Sequence, residues 1–156
     1  MGFEVRMTGN AELHEIRQRL KKFGDTGLGK EMDKGFRTAV KPLGPAIRAE
    51  AETAMPSGYG PLLSRSLQFK LSSRTAKQRA ELRFRVYADG KREHRDIPAT
   101  NKGVLRHPVF GRRRRAWVAQ RVKAGFVDKP AEQLLPNVRR EMDAVLDQVS
   151  KKLGKG

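Results

Sequence analysis

The chain has 156 residues, a net charge of +17 and no cysteine. That length suits one domain with a single core, and the missing thiols exclude disulfides, cysteine nucleophiles and thiolate zinc sites. With 37% apolar and 33% charged residues, the core is expected to be small and the polar surface large, so that some segments order only on assembly.

Glu4, Glu12 and Glu15 interrupt the first twenty residues, and no apolar h-region accompanies them, so no signal peptide is expected. No apolar run reaches the roughly 20 residues that span a bilayer, and no membrane partner is expected. The charge is uneven. Between Arg65 and Lys123, 18 lysines and arginines face only Glu81, Asp89, Glu93 and Asp96. Such a field favours anionic partners, whether nucleic acid, acidic protein or a membrane surface.

In chain order, Leu13, Ile16, Leu20 and Phe23 recur at three- and four-residue steps, which predicts a helix over 12–23 with Asn10 as its cap and Gly24 as its stop. A second helical run starts near Gly29, with Met32, Phe36, Val40, Leu43 and Ile47 as its apolar stripe. Pro42 and Pro45 lie inside it and predict a kink or two consecutive helices. The Pro- and Gly-rich stretch 55–61 is a break, and 62–71 reads as extended. Leu82, Phe84, Val86 and Ala88 alternate with polar residues, as in a half-buried strand, and Asp89-Gly90 follows as a hairpin signal. The stretch 91–102 reads as a polar loop. Segments 103–110 and 117–122 read as short strands on either side of Arg112, Arg113, Arg114 and Arg115. Pro130 opens a closing amphipathic helix over 130–153, with Asp128 as a cap candidate. The expected fold class is α+β in one domain over 1–156: N-terminal helices (11–55), a small antiparallel or mixed sheet with long basic loops (62–127), and the C-terminal helix.

Catalytic constellations are thin. His14, His94 and His107 lack metal-like spacing, and no cofactor is expected. His94, Asn101 and His107 are too loosely spaced for a His-Asn-His nuclease, and His107 before Pro108 reads as a structural turn residue. The serines lack a Gly-x-Ser-x-Gly elbow. Arg83, Arg85, Tyr87 and His107 are of the types used by small basic ribonucleases, but the leading helices have no place in such a module. Arg112 to Arg115 suit phosphate contacts or docking on an acidic neighbour, and no aromatic residues interleave with them as base-stacking platforms.

Several stretches taken together resemble the head-tail joining, or tail-completion, proteins of long-tailed bacteriophages. They are Met55-Pro56-Ser57-Gly58 through Leu62-Leu63-Ser64-Arg65-Ser66, the strand 82–87, and Gly103 to Gly111 with Trp117 and Gln120. Gly125-Phe126-Val127 and Pro130 with its helix complete the set. The resemblance runs over about Leu13 to Leu153. Its most specific part is His107-Pro108-Val109-Phe110-Gly111 with Trp117; the tetra-arginine run and the high charge depart from the pattern.

The resemblance implies a non-enzymatic virion protein of the neck. It would sit in a homo-oligomeric ring, expected to be sixfold, between head-completion (stopper) and tail-terminator proteins, with only incidental contact with DNA. Its location would be the host cytoplasm during assembly and the virion afterwards. A ring needs heterologous contacts that close on themselves. The expected contact residues are Val104, Leu105, His107, Pro108, Val109, Phe110 and Trp117, with Leu62, Leu63 and Leu67 as their counterpart and Arg112 to Arg115 as a basic docking face. The alternatives are a nucleic-acid-binding module using the central basic face and, behind it, a small basic ribonuclease.

Overall fold

The computed structural model describes residues 3–8, 11–23, 26–76, 79–88, 96–108 and 117–154. The fold is α+β. Its elements in chain order are β1 (Phe3–Thr8), α1 (Ala11–Phe23), α2 (Thr26–Val40), α3 (Leu43–Ala54) and α4 (Tyr59–Ser66), then β2 (Leu67–Ala76), β3 (Arg79–Ala88), α5 (Ile97–Asn101), β4 (Val104–Pro108), β5 (Trp117–Arg121) and α6 (Asp128–Gly154). One sheet has the strand order β1-β3-β2; the other is the two-stranded ribbon β4-β5. The chain forms two compact units.

The first unit comprises residues 1–3, 43–69 and 85–133. Pro42 and Pro45 produce two helices rather than one kinked helix: α2 stops at Val40, Lys41 and Pro42 form a turn, and Pro45 falls in the first turn of α3. There its missing N–H costs nothing. Leu43, Ile47, Ala51 and Ala54 form the buried face of α3.

Residues 62–66 are helical, which corrects the extended reading of 62–71. Pro61 sits in the first turn of α4, where proline suits a helix start. The strand begins only at Leu67. Arg48 of α3 secures this junction by donating to the carbonyls of Ser64 (2.5 Å) and Leu67 (2.6 Å). Its guanidinium also lies 5.2 Å from the Phe69 ring centroid. A cation thereby meets carbonyls at the C-terminal end of α4, where positive charge is favoured.

The loop expected over 91–102 is also corrected in part, because Ile97–Asn101 is a helical turn. Asp96 caps it by accepting from the Ala99 N–H at 3.0 Å, and Pro98 sits at its start. Residues 91–95, Asp89-Gly90, Asn10 and Gly24 lie outside the described residues.

The second unit comprises residues 4–42, 70–84 and 134–156. Leu13, Ile16 and Leu20 of α1 are buried, as are Met32, Phe36 and Ala39 of α2. So are Val138, Met142, Leu146 and Val149 of α6, at the three- and four-residue spacing of one helix face. Burying a side chain of the size of Phe36 contributes about 1.5–3 kcal/mol. Arg17 and Asp33 join α1 to α2 at 3.3 Å, and Lys152 pairs with Glu31 between α6 and α2.

Helices α2 and α6 approach closely where α2 has no side chain. A Cβ at Gly35 would lie 2.7 and 2.8 Å from the two methyl carbons of Val145. Gly35→Ala is therefore expected to destabilise the protein by about 1–3 kcal/mol through overpacking. The double variant Gly35→Ala/Val145→Ala should recover most of that loss. Urea denaturation of the single and double variants reads the coupling; strict additivity would contradict the contact.

Candidate docking ribbon

The ribbon belongs to the first unit and is rooted by α5 and the residues before α6. Gly103 turns the chain from α5 into β4 with φ +94°, a region that favours glycine. A Cβ there would also come within 3.0 Å of the Val122 carbonyl oxygen. Strands β4 and β5 are antiparallel, with Val104 opposite Arg121, Leu105 opposite Gln120, Arg106 opposite Ala119, His107 opposite Val118 and Pro108 opposite Trp117. The Val122 N–H donates to the Gly103 carbonyl at 2.9 Å.

This bond sets the phase of the ladder, because hydrogen-bonded and non-hydrogen-bonded pairs alternate in an antiparallel pair. Gly103/Val122, Leu105/Gln120 and His107/Val118 face each other with their backbone groups. The N–H and C=O groups of Ala119 and Arg121 on β5, and of Val104 and Arg106 on β4, point away from the ribbon.

Asn101 holds the root. It is 3% exposed. Its Oδ1 accepts from the N–H groups of Val127 (2.9 Å) and Asp128 (3.3 Å), and its Nδ2 donates to Asp128 Oδ2 at 2.8 Å. Its backbone carbonyl also accepts from the Gly125 N–H at 2.7 Å. One buried amide thus caps the start of α6 from a distant part of the chain, supplying acceptors for N–H groups that a helix leaves unpaired. Lys123 pairs with Glu50 of α3 at 3.1 Å.

Beyond the root the ribbon is open. Leu105 is buried, whereas Val104 is 38% and Val118 43% exposed, and Arg106, Ala119, Gln120 and Arg121 are exposed as well. An isolated pair of strands is marginal in water, so the packing of Leu105 and α5 at the base carries its stability. Across residues 97–127 the chain has no carboxylate and eight lysines and arginines. Among the described residues, the side chains of Lys102, Arg106 and Arg121 form no ion pair. The large hydrophobic side chains exposed among the described residues, Leu62, Tyr87, Val104 and Val118, all belong to this unit.

The residues expected to make contacts divide accordingly. Leu62 and Val104 are exposed. Leu63, Leu67 and Leu105 are corrected: at 1%, 0% and 4% exposure they are core side chains and present no surface. The turn of α4 directs Leu63 inward and Leu62 outward. His107, Pro108 and Trp117 contribute backbone to the ribbon, but their side chains lie outside the described part, as do Val109, Phe110 and Arg112 to Arg115 altogether.

Sequence reasoning missed Val118 and Arg121, and did not single out Arg106 within the segment 104–117. The run of 31 residues without a carboxylate was the signal that would have drawn attention to them. It also missed Asn101 and Arg48 as structural clasps, whose partners lie 16 to 27 residues away.

The residues weighed for catalysis are placed as follows. Arg83, Arg85 and Tyr87 alternate along β3 with the buried Leu82, Phe84 and Val86. The Asn101 amide is engaged in the clasp to Val127 and Asp128, and His94 lies outside the described residues. No group of three or more His, Cys, Asp or Glu side chains among the described residues is placed to hold a metal ion. No helix among them is long and apolar enough to cross a membrane. The chain matches no protein-family model, and no curated protein or solved structure matches it.

Proposed function

We propose that this protein is a structural, non-enzymatic component of the neck of a long-tailed bacteriophage, a tail-completion protein that joins heads to tails. The observation that carries the reading is the β4–β5 ribbon. It stands on a buried root and displays Val104, Val118, Arg106 and Arg121 to solvent. Such a ribbon serves docking better than chemistry, because its exposed groups are apolar side chains, cations and open backbone. The resemblance to head-tail joining proteins supplies the setting: a ring, sixfold in this reading, between the stopper and the tail terminator. The protein would be made in the host cytoplasm and retained in the virion, with DNA contact incidental and no membrane involved.

The test is assembly in the absence of the chain. Particles produced without it should accumulate as filled heads and free tails, and adding the purified protein should restore joined particles. Cryo-electron microscopy of the restored particles should show the chain as a ring at the neck. Fully joined, infectious particles formed without the chain would overturn the proposal.

A further inference from the structure

We infer that the outer edge of β5 is a strand-addition site for an acidic, extended segment of a different protein. The inference rests on reading the ribbon as a docking element and names the chemistry of its partner. Three observations converge on it.

The first is geometric. The phase of the ladder directs the N–H and C=O groups of Ala119 and Arg121 away from β4. Residues 118–121 are exposed throughout, so this edge is accessible. An open edge presents donors and acceptors in alternation, and the complement to that pattern is another polypeptide strand. The phosphate backbone of DNA offers oxygens to the N–H groups but no donor to the carbonyls.

The second is electrostatic. With no carboxylate between Asp96 and Asp128, the ribbon is cationic along its length. Glu50 engages Lys123, while Arg106 and Arg121 have no carboxylate among the described residues. Pairing β5 with the β5 of a second copy would bring two such ribbons together, and like charges facing each other across strands are destabilising. The charge thus disfavours self-pairing and selects a carboxylate-bearing strand. The third is the exposure of Val118, which the alternation of β5 sets on the face opposite Arg121; a partner strand that alternates apolar and acidic residues would meet the valine on one face and the cation on the other.

The test uses the full-length protein and a synthetic peptide of alternating valine and glutamate, followed by amide NMR and hydrogen exchange at physiological salt. Saturable binding is expected, with new protection at the Ala119 and Arg121 N–H groups. Arg121→Glu should weaken binding about tenfold or more, the factor that a single close charge contact can supply. Ala119→Pro is the sharper variant. It removes an outward N–H without removing a β4–β5 hydrogen bond, as proline does on an edge strand, so binding should be lost while the ribbon's own cross-strand signals remain.

Equal binding of a valine–lysine peptide would overturn the inference, as would protection elsewhere or no saturable binding. Two further results would also overturn it: a short DNA duplex that displaces the peptide and protects the same amides, or concentration-dependent dimerisation that protects them. Peptide binding by a chain that proves dispensable for particle joining would remove the neck reading and leave this inference standing.

Discussion

Asn101→Ala is expected to lower the unfolding free energy by about 2–4 kcal/mol, the range for losing several hydrogen bonds of a buried amide that also acts as a helix cap. The variant removes the acceptor for the Val127 and Asp128 N–H groups and the donor to Asp128 Oδ2 together. Val127 is fully buried, so its N–H would have no water to turn to. Asn101→Asp restores the acceptors but sets a second carboxylate against Asp128, so it should rescue little. Asp128→Ala, which removes only the outer partner, should cost about 1 kcal/mol. Urea denaturation gives the stabilities, and hydrogen exchange should quicken first at residues 103–105, where α5 passes into β4. A loss below 1 kcal/mol for Asn101→Ala would show that the clasp does not hold the ribbon's root.

Gly60→Ala is the second change with a large expected effect, and its sign runs against helix propensity. An alanine in place of glycine within a helix ordinarily gains up to about 1 kcal/mol. At Gly60, however, the new Cβ would lie 2.5 Å from the Glu52 carbonyl oxygen and 3.0 Å from its Cα. Those are backbone atoms of α3, and no rotamer change relieves the overlap. Helices α3 and α4 must separate, loosening the packing around Ile47, Ala51 and Leu63, all buried in this unit. A net loss of about 1–3 kcal/mol is expected, within the range for overpacked sites. Gly29→Ala provides the contrast: nothing lies within 4 Å of the added carbon in α2, so propensity should prevail and the variant should be neutral or more stable. Thermal melts of the two variants should shift in opposite directions or, at the least, differ by several degrees. A stabilised Gly60→Ala protein would show that α3 and α4 do not meet at this point.

The helices were the most legible part of the chain. Leu13, Ile16 and Leu20 mark α1, and Val138, Met142, Leu146 and Val149 mark α6, because a helix that buries one face must repeat its apolar residues at helical spacing. The β3 strand was readable from Leu82, Phe84 and Val86 for the corresponding reason at period two. The sequence of β1 also has apolar residues at period two, Phe3, Val5 and Met7, but six residues are a short signal. Leu62 to Ser66 misled because a short apolar run does not by itself distinguish a buried strand from one turn of helix. Pro61 at the helix start and the Arg48 guanidinium at its end decide that segment, and the second of these comes from another helix.

The sequence by itself determined the α+β class, an interruption of the helical run at Pro42 and Pro45, the strongly cationic centre and the approximate position of two strands around the tetra-arginine run. All of these follow from local pattern and charge, which depend on neighbours along the chain. Only the tertiary structure decided that Leu63, Leu67 and Leu105 are core while Leu62, Val104 and Val118 face solvent, that Asn101 clasps the start of α6, and that Ala119 and Arg121 turn their backbone groups outward. Those outcomes depend on which distant segments cover a residue and on the phase of a hydrogen-bond ladder, and neither is encoded within the few residues around each position.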